Sequence, residues 1–122
     1  MICGIGSDII EIERIEAAIN RTQSFLFKVF TSHEIEYFNT RNMKMDTIAG
    51  NFASKEAISK ALGSGVRGFN LKEIEILRDD LGKPIVNLSE NIKEKFNLKE
   101  AKIHVTISHN KTSAIAFAII ER

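Results

Sequence analysis

The chain has 122 residues, enough for one domain that buries roughly two-thirds of the surface its unfolded form exposes. With 43% hydrophobic and 27% charged residues, one proline and a net charge of +1, it has the composition of a soluble globular protein and no global electrostatic reason to bind nucleic acid. The single cysteine, Cys3, excludes an internal disulfide, and no apolar run approaches the roughly 20 residues of a membrane span.

The first predicted element is a strand over residues 2–10, ICGIGSDII. Alternation puts Cys3, Ile5, Ser7 and Ile9 on one side and Gly4, Gly6 and Asp8 on the other. The glycine side lets a backbone or a ligand come close to Asp8. Cys3 is expected as a small buried hydrophobe rather than a nucleophile. Ile12, Ile15 and Ile19 then mark an amphipathic helix, whose opposite side carries Arg14, Ala17, Ala18 and Arg21. The run FLFKVF (25–30) predicts a short apolar helix, and Thr31-Ser32-His33-Glu34 has the form of a capping box opening another. A polar connection leads to a long helix over Asp46–Leu62, with Gly63 and Gly65 as stop signals.

The second half is strand-rich. Residues around Ile74 and Ile76 alternate, Asp79 to Pro84 form a turn, and Ile85–Leu88 form a further short strand. Ser89 is expected to cap a helix reaching Phe96. KIHVTISH (102–109) and TSAIAFAII (112–120) form the clearest β pair, joined tightly at Asn110-Lys111. No repeat, linker or low-complexity tract breaks the chain. The expectation is a single α+β domain over residues 1–122, with an antiparallel sheet packed against one long and several short helices. No basic and apolar targeting segment precedes Asp8, so a cytoplasmic location is expected.

Glu56 is the least expected residue. At about 100° per residue it shares a helical stripe with Ala49, Phe52, Ala53 and Lys60, and a carboxylate there needs a cation, a metal ion or several donors. Two readings stay open. Asp8 and Glu56, from separate elements, suit a hard divalent cation such as Mg²⁺, which takes one or two protein carboxylates and shares phosphate oxygens. Alternatively Asp8 caps the helix that begins near Glu11, and Glu56 pairs with Lys60 one turn on. Lys60 with Gly63-Ser64-Gly65 reads either as a helix terminus or as a phosphate cradle of ammonium, hydroxyl and backbone N–H groups. His109, at a strand end, is an edge residue or a catalytic one, and the three histidines lack zinc-ligand spacing. Arg14 and Arg21 are a solvated helix face or a dock for an acidic protein.

Taken in order, these residues resemble the holo-[acyl-carrier-protein] synthases, the short bacterial branch of the 4′-phosphopantetheinyl transferases. GIGSDIIEIERI (4–15) resembles that family's G-x-D-x-x-x-x-x-R signature, and FASKEAISKALGSG (52–65) its F-x-x-K-E-A-x-x-K-A-x-G block. Gly82-Lys83-Pro84, Ile107-Ser108-His109 and the closing AFAIIE (116–121) match its later motifs. The resemblance implies the fold of that family. It implies transfer of 4′-phosphopantetheine from coenzyme A to a serine of an apo acyl carrier protein, releasing adenosine 3′,5′-bisphosphate, in support of fatty acid biosynthesis. It implies Mg²⁺ held by Asp8 and Glu56, and a homotrimer with active sites between subunits. Ser59, Lys60, Pro84 and His109 fall where the family contacts coenzyme A, with Ser64 and Gly65 beside them. Arg14, Ala18 and Arg21 correspond to the surface that receives the carrier's acidic helix, and Asp8, Glu56, Lys60 and His109 to the catalytic set. A metal-bound water, Glu34 and His109 are candidates for taking the serine proton.

Two other functions fit the isolated motifs. A Mg²⁺-dependent phosphohydrolase would use the same carboxylates with water as nucleophile. A binding module would use them only as structural ion pairs.

Overall fold

Glycine decides how closely the first strand can lie against the longest helix. In the computed structural model, which describes residues 1–122, β1 (Ile2–Glu11) presents Gly4 and Gly6 to the helix Met45–Ala61. A Cβ on Gly4 would stand 2.0 Å from the Ala61 carbonyl oxygen, and one on Gly6 would stand 2.1 Å from that of Ala57. Only bare backbone fits there. The helix answers with its own small residues, Ala53, Ala57 and Ala61, all buried.

Between these two elements the chain forms α1 (Ile12–Arg21), α2 (Phe25–Val29) and α3 (Ser32–Thr40); Met45–Ala61 is α4. Thr31 caps α3 in the expected capping box, its hydroxyl accepting from the Glu34 N–H while the Glu34 carboxylate accepts from the Thr31 N–H at 3.0 Å. Gly63, at φ +88°, takes the left-handed conformation just past α4 that a helix stop requires. A 3₁₀ turn (Leu71–Glu73) leads into β2 (Ile74–Arg78) and β3 (Pro84–Leu88), a two-stranded antiparallel ribbon. Ser89 caps α5 (Glu90–Lys95) by accepting from the Ile92 N–H. β4 (Lys102–His109) and β5 (Ser113–Glu121) then pair antiparallel, and β5 also pairs with β1, giving the order β1-β5-β4.

α4 runs across the inner face of this sheet. One core cluster joins α4 to Ile74, Ile76, Ile92, Ala116, Ala118 and Ile120; a second gathers Ile15, Phe30, Phe38, Ile48, Ala49 and Ala114. No helix is long and apolar enough to cross a membrane.

Two expectations are corrected. Cys3 is exposed, because the glycine side of β1, not the isoleucine side, faces the helix. The turn between β4 and β5 spans Asn110–Thr112 rather than two residues; the Asn110 side chain accepts from the Thr112 and Ser113 N–H groups at 2.9 and 2.8 Å and holds the longer loop.

Candidate active site

The close approach of β1 to α4 brings Asp8 beside the helix at the level of Glu56 and Lys60. The Lys60 ammonium donates to the Ser7 carbonyl at 2.9 Å and to Asp8 Oδ1 at 3.2 Å. Neither structural pairing expected from spacing forms. α1 begins without a side-chain cap, so Asp8 is not its N-cap, and Lys60 pairs with Asp8 rather than with Glu56. Glu56 receives no hydrogen bond or ion pair from the protein. Its pKa is held above the ordinary carboxylate value, first by partial burial and then by the Asp8 charge, with Lys60 pulling the other way. Asp8 and Glu56 open into one cleft with Ile10, Arg14, Ala18, Phe25 and Phe52. The predicted docking helix therefore borders the carboxylates through Arg14 and Ala18, while Arg21 lies in its last turn.

The other predicted residues lie elsewhere on the protomer. His109 is half exposed, with Nδ1 3.7 Å from Asp46 Oδ2, in a second cleft shared with Lys44 and Lys111. Asp46 and Glu56 are ten residues apart on α4, about 15 Å along its axis. Pro84 opens β3 in a third cleft, between β3 and β4, where Lys83, Lys93, Lys99 and Lys102 gather.

Three further expectations change. Ser59 is buried and donates its hydroxyl to the Lys55 carbonyl at 2.8 Å, so it presents nothing to a ligand. Ser64 and Gly65 follow α4, but the Gly63 N–H is used on the Lys60 carbonyl and the Ser64 hydroxyl on the Gly65 carbonyl. The loop therefore lacks two donors of the expected phosphate cradle, while the Ser64 and Gly65 N–H groups make no hydrogen bond within the protein. Glu34 is not available as a general base. It is fully buried, and its oxygens accept from the Thr31 N–H, the Lys55 ammonium at 2.7 Å, the Asn51 amide at 3.2 Å and the Ile76 N–H at 3.1 Å.

Sequence reasoning missed the rest of that network. Lys55 is also fully buried and donates to the carbonyls of Leu71, at 3.0 Å, and Ile74. Burial pushes its pKa below the usual lysine value, against the opposing pull of Glu34. Asn51, one turn earlier, donates to the Ile76 carbonyl and accepts from Arg78. The only signal in the sequence was the lysine of the K-E-A block.

These features define an α+β protomer whose paired carboxylates sit between a glycine-bared strand and a long helix, under a basic helix face. The chain belongs to the 4′-phosphopantetheinyl transferase superfamily, whose profile it matches over residues 4–120. It is 60% identical over 121 residues to a holo-[acyl-carrier-protein] synthase of Clostridium botulinum, covering 99% of this chain and 98% of that one. Among solved structures it resembles the Helicobacter pylori synthase in complex with coenzyme A, at 34% identity and TM-score 0.86, over 96% of this chain and 99% of that one. It also resembles a Bacillus anthracis synthase in complex with coenzyme A, at 36% identity and TM-score 0.81, over 99% and 97%.

Proposed function

We propose that the chain transfers the 4′-phosphopantetheine group of coenzyme A to a serine of an apo acyl carrier protein, in support of fatty acid biosynthesis in the cytoplasm. The observation that carries the reading is the cleft in which Asp8 and Glu56 meet under Arg14 and Ala18. Its support is the end-to-end likeness to synthases, two of them solved with coenzyme A. In the reaction the serine oxygen bonds to the phosphorus on the pantetheine side of the diphosphate. The bond from that phosphorus to the bridging oxygen breaks, adenosine 3′,5′-bisphosphate leaves, and a base takes the serine proton. Such transfers need positioning and neutralisation of spread charge more than covalent help.

The donor set at Asp8 and Glu56 fits a divalent cation. Two hard oxygen ligands face one cleft, and one of them has no protein partner while its charged form is disfavoured by the other. Mg²⁺ bound there would neutralise the diphosphate and stabilise the leaving bisphosphate. Lys60, half exposed, is free to turn from Asp8 toward a phosphate oxygen. Arg14 faces the approach of an acidic carrier helix. With Glu34 fully engaged, His109 is the remaining candidate base among the chain's own named residues.

His109 and Pro84 each lie in a different cleft from Glu56, which fits a site that a neighbouring copy completes. We therefore include a homotrimer with sites between subunits in the proposal. The outer face of the sheet supports it: Ile5 and Ile9 are 63% and 67% exposed, and Ile9 lies opposite Ile115 of β5, also exposed.

The test is incubation with coenzyme A, Mg²⁺ and an apo carrier protein, followed by intact-mass measurement. A gain of one phosphopantetheine on the carrier is expected. Release of adenosine 3′,5′-bisphosphate with no carrier modification would indicate hydrolysis instead, and no reaction with a competent carrier would overturn the reading.

A further inference from the structure

We infer that Lys55 and Glu34 are positioning residues for the reaction: their buried ion pair fixes the rotation of α4 so that Glu56 is held beside Asp8. The inference rests on the proposed metal role of Glu56.

Asp8 and Glu56 are both acidic and oppose each other across the cleft before a cation arrives, and the half-exposed Lys60 ion pair with Asp8 offsets only part of this. Two rigid contacts resist that on either side of Glu56 in sequence. One is the close approach of Gly6 to the backbone at Ala57. The other is Lys55, whose ammonium reaches away from the β1 side into a closed set of acceptors. It binds Glu34 at the start of α3 and the carbonyls of Leu71, which opens the 3₁₀ turn, and Ile74, which follows it. Its ammonium also lies 5.2 Å from the Phe30 ring centre. Asn51 repeats the arrangement one turn earlier, tying α4 to the same Glu34 and to Ile76 in β2.

Every partner in this set is fixed by its own element: Glu34 by the capping box and β2, the Leu71 carbonyl by the 3₁₀ turn and that of Ile74 by β2. A helix anchored in this way has one rotational setting. At a side-chain radius of about 6 Å, a 10° rotation of α4 moves the Glu56 carboxylate by roughly 1 Å, and a displacement of that size can cost on the order of 10²-fold in rate. An ion pair chosen only for stability would be a poor choice, since well-packed apolar residues often serve as well. What the pair offers beyond packing is directional restraint at the residue next to Glu56.

The test compares Lys55→Met and Glu34→Gln with wild type and with Ile92→Ala, a core variant in the cluster behind α4 that does not line the cleft. All are assayed at a temperature where circular dichroism shows each one folded. Two quantities are read: kcat for carrier modification, and the affinity of the free protein for Mn²⁺ by paramagnetic titration. Lys55→Met is expected to lower kcat by roughly 30- to 100-fold and weaken Mn²⁺ binding about tenfold. Glu34→Gln, which keeps the shape, should fall between it and wild type. Ile92→Ala should keep both within about twofold despite its lower Tm, because lost packing alone lowers stability rather than rotating α4. Folded Lys55→Met and Glu34→Gln with wild-type kcat and Mn²⁺ affinity would overturn the inference, as would equal losses in Ile92→Ala. Failure of the functional proposal is separable, since wild type itself would then neither modify the carrier nor bind Mn²⁺.

Discussion

Glu56 lies partly buried beside a second carboxylate with no protein donor of its own, and burial with the Asp8 charge raises its pKa. The folded protein therefore binds this proton more tightly than the unfolded chain. From the ordinary carboxylate value of 4.5 up to the raised value, the native state carries more protons, so stability falls as pH rises through that window; the burden is complete above it. Glu56→Gln removes the penalty. The expected outcome is a variant modestly more stable than wild type at neutral pH and equal to it below the window. Urea denaturation at several pH values measures this. Carrier modification should fall by on the order of 10²-fold or more in the same variant, because developing charge loses its stabiliser. Mg²⁺ gives a second check. It should raise the Tm of wild type by binding only the folded state, and leave that of Glu56→Gln nearly unchanged. Equal shifts in the two proteins would remove Glu56 from the metal site.

At the scale of elements, the contact between β1 and α4 is what makes the cleft. Gly6→Ala would place a methyl group 2.1 Å from the Ala57 carbonyl oxygen and 2.7 Å from the Ala61 nitrogen, both backbone atoms that cannot swing aside. Strand and helix must then separate. A loss of about 1–3 kcal/mol in chemical denaturation is expected, with a larger proportional loss of kcat than at a surface glycine such as Gly82, whose added Cβ meets nothing within 4 Å. Gly82 has φ +88°, so its own alanine variant carries a backbone cost, which makes the comparison of kcat the informative one. Much of this architecture was legible because its signals are local. The α4 boundaries follow from helical spacing and Gly63, and the Thr31–Glu34 box from four consecutive residues. Which face of β1 is covered was legible only in part: the glycines marked a close approach of backbone, but Cys3 was expected to be buried on the isoleucine side. Alternation separates isoleucines from glycines, and burial usually goes to the isoleucines; here the glycines are inside, because a helix backbone can come that close only to bare chain. The role of Glu34 was hidden for a different reason, since its partners Asn51, Lys55 and Ile76 lie 17 to 42 residues away.

For the molecule as a whole, the face of the sheet turned away from α4 is the part of the proposal that one protomer does not complete. β1 offers Ile5 and Ile9 there, and β5 adds Ile115, opposite Ile9, and Ile119, opposite Ile5. Ile5→Glu puts a charge on this surface without lining the cleft of Asp8 and Glu56 or touching the core behind it. Sedimentation equilibrium should show the assembly reduced to folded monomers, with carrier modification lost although Asp8 and Glu56 are intact. Mixing separates this from simple damage. Glu56→Gln retains His109, and His109→Ala retains Glu56, so each is inactive alone when one site needs both. If each site takes its carboxylates from one subunit and its histidine from the next, unfolding and refolding the two together at equal amounts yields an intact site with probability of about one quarter under random closed assembly. The mixture should recover about a quarter of wild-type activity, and the same mixture built on Ile5→Glu should recover none. If each subunit supplied both groups to its own site, the mixture would stay inactive, and the proposed division of the site between subunits would fail.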